Sequence, residues 1–539
     1  MMNAELLAEV QAWIADDPDQ KTAAQLRALV AADDEITLRK HFSGFLQFGT
    51  AGLRGPVGPG PSCMNRAVVG RTAGGIASYM KARAMTRVVI GRDARYGSED
   101  FTEESAQIFA GAGFEVFVLP RPLPTPVLAF ATAELKCDVG VMVTASHNPP
   151  QDNGYKVYVG PTADGIDYAA SQIISPTDGF IAEEINAITS LAKLPRGNNW
   201  TVLGEEIITE YVRRTALLAN KPVDLKVVYT AMHGVGTETL QRVFNHAGFA
   251  TLILVDEQCQ PDPDFPTVAF PNPEEPGAID LALEKARDFG ADLVIANDPD
   301  ADRCAAAVND PKIGWRMLGG DELGVIFGEW IARSKPQGTF GNSIVSSSAL
   351  HKIAAHYKID FQEVLTGFKW LAKIDNLAYG YEEAIGYAVD PKTVNDKDGI
   401  SAAIYLAQIA SDLKGQGLTL LDLLDEVWAR DGFHGTEQIS IRVEDMAEIS
   451  QLLKGLRQNP PSEIAGYKVR AFDDLAAPKD GLPPTDGLRI WLDGGIRIII
   501  RPSGTEAKLK CYIEVITKDA KSAQILLDKL RNPLKEFLS

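Results

Sequence analysis

Cysteine is scarce. Five occur in 539 residues, at positions 63, 137, 259, 304 and 511, and no two form a CxxC pair. An odd, scattered set argues against a disulfide framework or a thiolate zinc site, and free thiols in a reducing, cytoplasmic compartment are expected. Long apolar runs are missing as well: no stretch approaches the ~20 residues that a membrane-spanning helix needs. The opening MMNAELLAEVQAWIADDPDQ is acidic and amphipathic, unlike the basic start and apolar middle of a signal peptide. There is no excess of basic residues. Lys+Arg number 53 against 72 Asp+Glu, a formal charge of −19, which disfavours nucleic acid and membrane surfaces as partners. An anionic small molecule fits only where a cleft concentrates Lys and Arg against that field. Apolar content of 45% and charged content of 23% are those of an ordinary globular protein. The length is too great for one core and suggests three or four domains.

What is present is a recurring strand–loop–helix theme. Continuous apolar runs at 87–93, 115–120, 139–145, 226–234, 251–256 and 291–300 read as strands covered on both faces. Helical patterns at 103–113 and 277–290 lie between them, so the fold class is α/β. Composition changes after about residue 430. Alternating strands at 435–445, 489–504 and 508–519 and a last helix at 520–538 indicate a C-terminal α+β domain. The expected boundaries are an N-terminal helical extension (1–40) and domains at 41–205, 206–315, 316–432 and 433–539. The Pro-rich segment 261–277 reads as a surface loop inside the second block. Residues 1–40 have two open roles, packing on the first domain or self-association, and nothing in the sequence signals an oligomeric state.

Five loops carry candidate chemistry. In NDPDADR (297–303), Asp298, Asp300 and Asp302 alternate after a strand, and on an extended loop alternate residues point the same way. Three converging carboxylates need a cation, and few hard oxygen ligands suit Mg²⁺; a solvated acidic turn is the plainer alternative. The glycine and distal glutamate of an EF-hand are missing. Arg303 beside them fits a bound anion. In RPSGTEAKLK (501–510), Arg501 can fork onto phosphate, and Ser503, Gly504 and Thr505 offer hydroxyls and a backbone nest; a tight basic hairpin is the alternative. FGTAGLRG (48–55) places Arg54 among glycines that permit close approach to a ligand. AYGYEEAIGY (378–387) presents Glu382 and Glu383 as acceptors for sugar hydroxyls, or as acidic residues at a helix start. TGFKW (366–370) sets Lys369 between aromatics, where a snorkelling lysine is the bland account. Finally, TASHNPPQDNGYK (144–156) ends a buried run with Ser146 and His147, and carries Lys156. A serine can be a nucleophile or a phosphate carrier. The GxSxG elbow of hydrolases is absent, and a neighbouring histidine would be expected to diverge from Ser146. His233 in AMHGVG reads as a structural turn histidine.

TASHNPPQDNGYK, NDPDADR, YEEAIGY and RPSGTE, in this order and at this spacing, resemble the four signature loops of the α-D-phosphohexomutases, over nearly the whole chain from about residue 45. FGTAGLRG, TGFKW, EEAIGY and KDGISAA resemble the longer, phosphopentomutase-like branch. The resemblance implies three successive mixed α/β domains plus a C-terminal α+β domain around a central cleft. It implies an enzyme that moves phosphate between two hydroxyls of one sugar through phospho-Ser146 and a sugar 1,6-bisphosphate. Ser146, Asp298, Asp300 and Asp302 would bind Mg²⁺. His147, Lys156, Arg54 and Arg303 would surround the reacting phosphate, with Lys156 transferring the proton. Lys369, Glu382 and Glu383 would contact the sugar, and Arg501, Ser503, Gly504 and Thr505 the second phosphate. A phosphosugar is the implied partner and the bisphosphate the implied activator. Ile385 and Tyr387 depart from both the glucomutase and mannomutase versions of the sugar loop, so a pentose substrate, bisphosphate synthesis and metal-dependent phosphatase activity stand beside the hexose mutase reading. A non-catalytic sugar-phosphate binder is the remote alternative.

Overall fold

The computed structural model describes residues 2–47, 52–220, 222, 224–443, 446–479, 481–503 and 508–538. The chain forms two compact units, Met1–Met317 with Gly386–Asp412, and Leu318–Ile385 with Leu413–Ser539.

The first unit contains two sheets. In the first, strand Val139–Val143 pairs in parallel with Arg87–Arg92, which pairs with Glu115–Val118, while Asp152–Val159 and then Leu53–Pro56 add on antiparallel. Every residue of Val139–Val143 is buried, as its unbroken apolar run requires of a strand covered on both faces. The second sheet centres on Val227–Thr230 and Leu293–Ala296, parallel neighbours whose eight residues are all buried. The expected strand at 251–256 shortens to Ile253–Leu254. The expected helices are longer and shorter respectively, at Ser98–Gly111 and Asp280–Phe289.

The N-terminal extension is three helices, Ala4–Asp16, Gln20–Ala31 and Glu35–His41, started by the Asn3, Asp19 and Asp34 side chains. They share a small core of Leu6, Val10, Leu26 and Leu38. Asp16 ties them to the first domain by accepting from Ser190 Oγ (2.7 Å) and from the Leu191 and Ala192 amides (2.7 and 3.2 Å). Of the two roles left open, packing on the first domain is therefore the one realised within the chain.

In the second unit, Thr339–Ser343, Asp360–Val364 and Leu377–Glu382 form parallel pairs. The C-terminal sheet is antiparallel, running Phe433–Arg442, Lys508–Thr517, Ile496–Pro502, Leu488–Leu492 and Tyr467–Asp474. Leu527, Leu530 and Leu534 of helix Ala520–Leu538 recur every three to four residues and are buried in the core formed with this sheet. The α+β expectation for this region holds.

Candidate active site

Two parallel strands of the first unit deliver the site at their C-terminal ends, where open α/β sheets present ligand-binding loops. Beyond Val139–Val143 the chain turns sharply, with Ser146 in the left-handed region (φ 53°). That conformation is held by the Ser146 amide donating to Thr144 Oγ1 (2.9 Å). Beyond Leu293–Ala296 comes the acidic loop. It is not the extended segment expected from its alternation. The Ala301 amide bonds the Asp298 carbonyl (2.8 Å) and Ala301 has φ 53°, so a turn, rather than strand periodicity, brings the three carboxylates together. Their oxygens converge to within 4.8 Å of one another, and all three residues are fully buried.

The Ser146 hydroxyl donates to Asp298 Oδ2 at 2.7 Å. Lys156, on the strand that follows the serine loop, bonds both Asp300 Oδ2 and Asp302 Oδ2 at 2.7 Å. Contrary to expectation, His147 does not diverge from its neighbour, since its Nδ1 lies 3.2 Å from Ser146 Oγ. The same nitrogen is 2.9 Å from Arg303 Nη1. Because guanidinium only donates, Nδ1 accepts and the imidazole proton resides on Nε2. Burial, then Arg303 and Arg54, hold His147 well below its usual pKa. A neutral imidazole beside a serine that donates to a carboxylate is not a Ser-His-Asp hydrolase arrangement. Arg54 donates to Asn148 of the same loop (2.9 Å). Ser146, His147, Lys156, Arg54, Arg303, Asp298, Asp300 and Asp302 thus form one cluster within the first unit.

The charge balance explains why this cluster suits a divalent cation. Burial and then Asp300 and Asp302 push Asp298 upward. For Asp300, burial is the largest influence and acts upward, but Lys156, Thr125 and Lys397 together outweigh it and hold the carboxyl down, and Lys156, Lys397 and Arg303 together outweigh burial and the Asp300 charge at Asp302. Asp300 Oδ1 and Asp302 Oδ1 are buried with no hydrogen-bond partner. Two carboxylate oxygens without hydrogen bonds in a buried triad are what a hard cation would satisfy.

Sequence reasoning missed three members of the site. Lys397 Nζ lies 2.9 Å from Asp302 Oδ2 and 3.7 Å from Asp396 Oδ1; its neighbour Asp396 accepts from the buried Tyr158 and Gln172. Thr125 donates to Asp300 Oδ2 at 2.6 Å. A lone lysine in NDKDG and a threonine in a Pro-rich stretch have no spacing signal. The KDGISAA motif, noted for its resemblance alone, was the available clue.

In the second unit the sugar-loop candidates also gather. Glu382 Oε1 accepts from the Gly367 amide (2.7 Å), joining YEEAIGY to TGFKW. Glu383 Oε2 accepts from Ser343 and Ser346 hydroxyls (3.2 and 3.1 Å), and burial, then Glu382, raises its pKa. Lys369 lies on a short helix, Phe368–Leu371, rather than on a core strand, and is buried. Tyr512, another residue with no motif to reveal it, is buried, and burial, then the charge of Glu383, pushes its phenol upward while Arg501 acts the other way. Ser503 is nearly buried at the strand end. Gly504 and Thr505 lie outside the described residues.

Family models for phosphoglucomutase/phosphomannomutase domains I, II and III and the C-terminal domain match residues 46–177, 208–314, 319–430 and 441–528. The chain belongs to the phosphoglucomutase/phosphomannomutase family. Members of this family among the relatives include a protein named probable phosphomannomutase from Haemophilus influenzae, 46% identical over 88% of this chain and 98% of its own length. A phosphopentomutase from Mus musculus is 33% identical over 99% of this chain and 95% of its own. A family protein from Burkholderia thailandensis has the same fold, with a TM-score of 0.71 at 19% identity over 91% of this chain and 97% of its own. The α/β architecture with four family domains and the assignment as a phosphosugar mutase, an isomerase, follow from these matches. No helix among the described residues is long and apolar enough to cross a membrane.

Proposed function

We propose that Ser146 is the phosphate carrier of a mutase that interconverts the 1- and 6-phosphates of a hexose, through a sugar 1,6-bisphosphate that also serves as activator. The observation that carries this reading is the 2.7 Å contact of Ser146 Oγ with Asp298, inside a buried carboxylate triad that Lys156 partly neutralises. Asp298, Asp300 and Asp302 would hold Mg²⁺, which when bound supplies positive charge to the phosphate oxygens. The sugar hydroxyl attacks the phosphorus of phospho-Ser146 and the bond from phosphorus to Oγ breaks; the Lys156 ammonium gives a proton to the departing Oγ and, once neutral, takes up the proton of the attacking hydroxyl. The reverse transfer from the bisphosphate's other end restores the carrier. Arg303, Arg54 and the Nε2–H of neutral His147 stabilise charge on the phosphoryl group, because transfer is governed by positioning and electrostatics. Glu382, Glu383 and Lys369 orient the sugar. Arg501 and Ser503, with Gly504 and Thr505, bind the phosphate that does not react.

A pentose substrate is the second reading. It is favoured by the phosphopentomutase relatives, which align with 99–100% of this chain, whereas the Haemophilus protein aligns with 88%. The test is incubation of the purified protein with Mg²⁺, a trace of glucose 1,6-bisphosphate and the 1-phosphates of glucose, mannose, ribose or deoxyribose. Isomer formation without free phosphate supports a mutase and ranks the sugars. Steady phosphate release would mean a phosphatase. Net accumulation of bisphosphate would mean a synthase.

A further inference from the structure

Arg95 has no part in the chemistry above, yet it is one of the most buried cations of the first unit, 4% exposed. Its guanidinium lies under the serine loop. Nη2 donates to the carbonyls of Ser146 (2.6 Å) and Asn148 (2.5 Å), and Nη1 to those of Pro149 (2.7 Å) and Asp152 (3.1 Å). Four carbonyls of one irregular segment thus converge on one side chain. Without it the buried Ser146 carbonyl would lose this donor, the part-buried Asn148 and Asp152 carbonyls would lose theirs, and Pro149 would keep only the Asp152 amide (3.1 Å), so the loop would move to find other donors or water. The need is acute because Ser146 occupies the left-handed region, which a non-glycine residue holds only when its surroundings over-determine it.

Arg95 is itself fixed from two directions. Asp93 lies 3.4 Å from its Nε, accepts from its amide (3.0 Å) and is anchored by Ser98 (2.7 Å). From the second block, the Phe265 ring sits 4.9 Å from the guanidinium. Phe265 is 3% exposed; it belongs to the Pro-rich segment 261–277, which is not wholly the surface loop its composition suggests, because this ring is buried against Arg95. That segment is anchored by the turn histidine: the Asp262 amide bonds the His233 carbonyl (3.0 Å), and His233 Nε2 pairs with Thr267 Oγ1 (2.8 Å). Tyr96 also reaches across to Asp264 (3.0 Å).

We propose that Arg95 is a positioning residue for phosphoryl transfer, pinning the carrier-loop carbonyls so that Ser146 Oγ stays on the acidic triad, with Phe265 as a backstop supplied by the second block. The inference rests on Ser146 being the carrier. Arg95 meets the loop from beneath and through backbone atoms alone, so its loss changes where Ser146 stands and leaves the sugar contacts intact. Misplacing a reacting group by about 1 Å costs ~100-fold in rate.

The test compares Arg95→Lys, Arg95→Gln, Phe265→Leu and Ser146→Ala, with Mg²⁺, glucose 1,6-bisphosphate and glucose 1-phosphate, and with the thermal midpoint measured for each. Lysine keeps the charge but cannot fork onto four carbonyls. Both Arg95 variants should therefore lose ~100-fold in kcat with KM changed less than about threefold. Phe265→Leu, which keeps the apolar volume and removes the ring face, should lower kcat about threefold at unchanged KM. Full activity of Arg95→Lys, or a raised KM at normal kcat, would overturn the proposal. If both Arg95 variants fail to fold, a folded Phe265→Leu with wild-type kcat overturns it instead. Full activity of Ser146→Ala would refute the carrier reading itself, a separate outcome from failure of the Arg95 variants.

Discussion

Lys156 stands where a cation is needed before any metal arrives, and replacing it should expose the cost of the acidic triad. At 2.7 Å from both Asp300 and Asp302, with an effective dielectric constant of about 20, each contact is worth roughly 6 kcal/mol of gross attraction. Desolvation of the buried ammonium removes several kcal/mol of that, and breaking such a buried pair typically costs about 3–5 kcal/mol net. Lys397 and Arg303 are too few to neutralise three carboxylates and also their own neighbour Asp396. Lys156→Met retains the chain length without the charge. In chelator it should lower unfolding stability by about 3–5 kcal/mol. Added Mg²⁺ should restore more stability to the variant than to the wild type, because an ion held by the native triad alone would stabilise by mass action. The assay is urea unfolding, with and without millimolar Mg²⁺. Equal stability of the two proteins in chelator, or an equal Mg²⁺ effect on both, would refute the claim that Lys156 occupies the cation's electrostatic role in the absence of metal.

Other expectations are more local. Arg501→Ala should raise KM about 10- to 100-fold with little change in kcat, the loss of a charge-assisted hydrogen bond worth ~1.5–3 kcal/mol; an unchanged KM counts against its phosphate contact. Glu514 is buried against Arg497, His434 and Ser347, and although burial acts upward, Arg497 and His434 outweigh it and hold the carboxyl down at about 2, from 4.5. Because the folded-state value is depressed, this group contributes stability above pH 4.5, and that contribution is lost as pH falls through 2. The span corresponds to about 3 kcal/mol, and Glu514→Gln should flatten the acid limb of the stability curve between those values. Asp16→Ala should cost about 1 kcal/mol, as loss of a capping carboxylate does, and raise the rate of limited proteolysis in the segment after His41; an unaltered cleavage rate would show that the helical extension is held otherwise.

Much of the chemistry was legible because it is carried by short runs of adjacent residues. Asp298, Asp300 and Asp302 are close in sequence, so any compact conformation of the loop keeps them near one another, and a dense carboxylate run implies a cation whatever the fold. Ser146 was legible because a buried strand ends on it and prolines forbid regular structure beyond. Runs without polar alternation, such as 139–143 and 293–296, determined the buried strands and hence the α/β class. The sequence also misled where it invited a simple periodic picture: the acidic residues share a site because of a turn at Ala301, and His147 touches Ser146 because the left-handed Ser146 backbone folds the two side chains together.

What only the tertiary structure decided is pairing across distance. Ser146 meets Asp298 across 152 positions, Lys156 meets Asp300 across 144, and Thr125 meets Asp300 across 175; Lys397 reaches Asp302 from further along the chain. No local pattern encodes which carboxylate a given lysine neutralises, since that follows from how strands and loops distant in sequence are brought together within the first unit. The same holds for Arg95, an unremarkable residue in GRDAR until four carbonyls and an aromatic ring close around it. A sequence states which groups are available; burial and sheet topology determine which of them must satisfy one another, because in a dry interior every charge and every carbonyl has to find its partner.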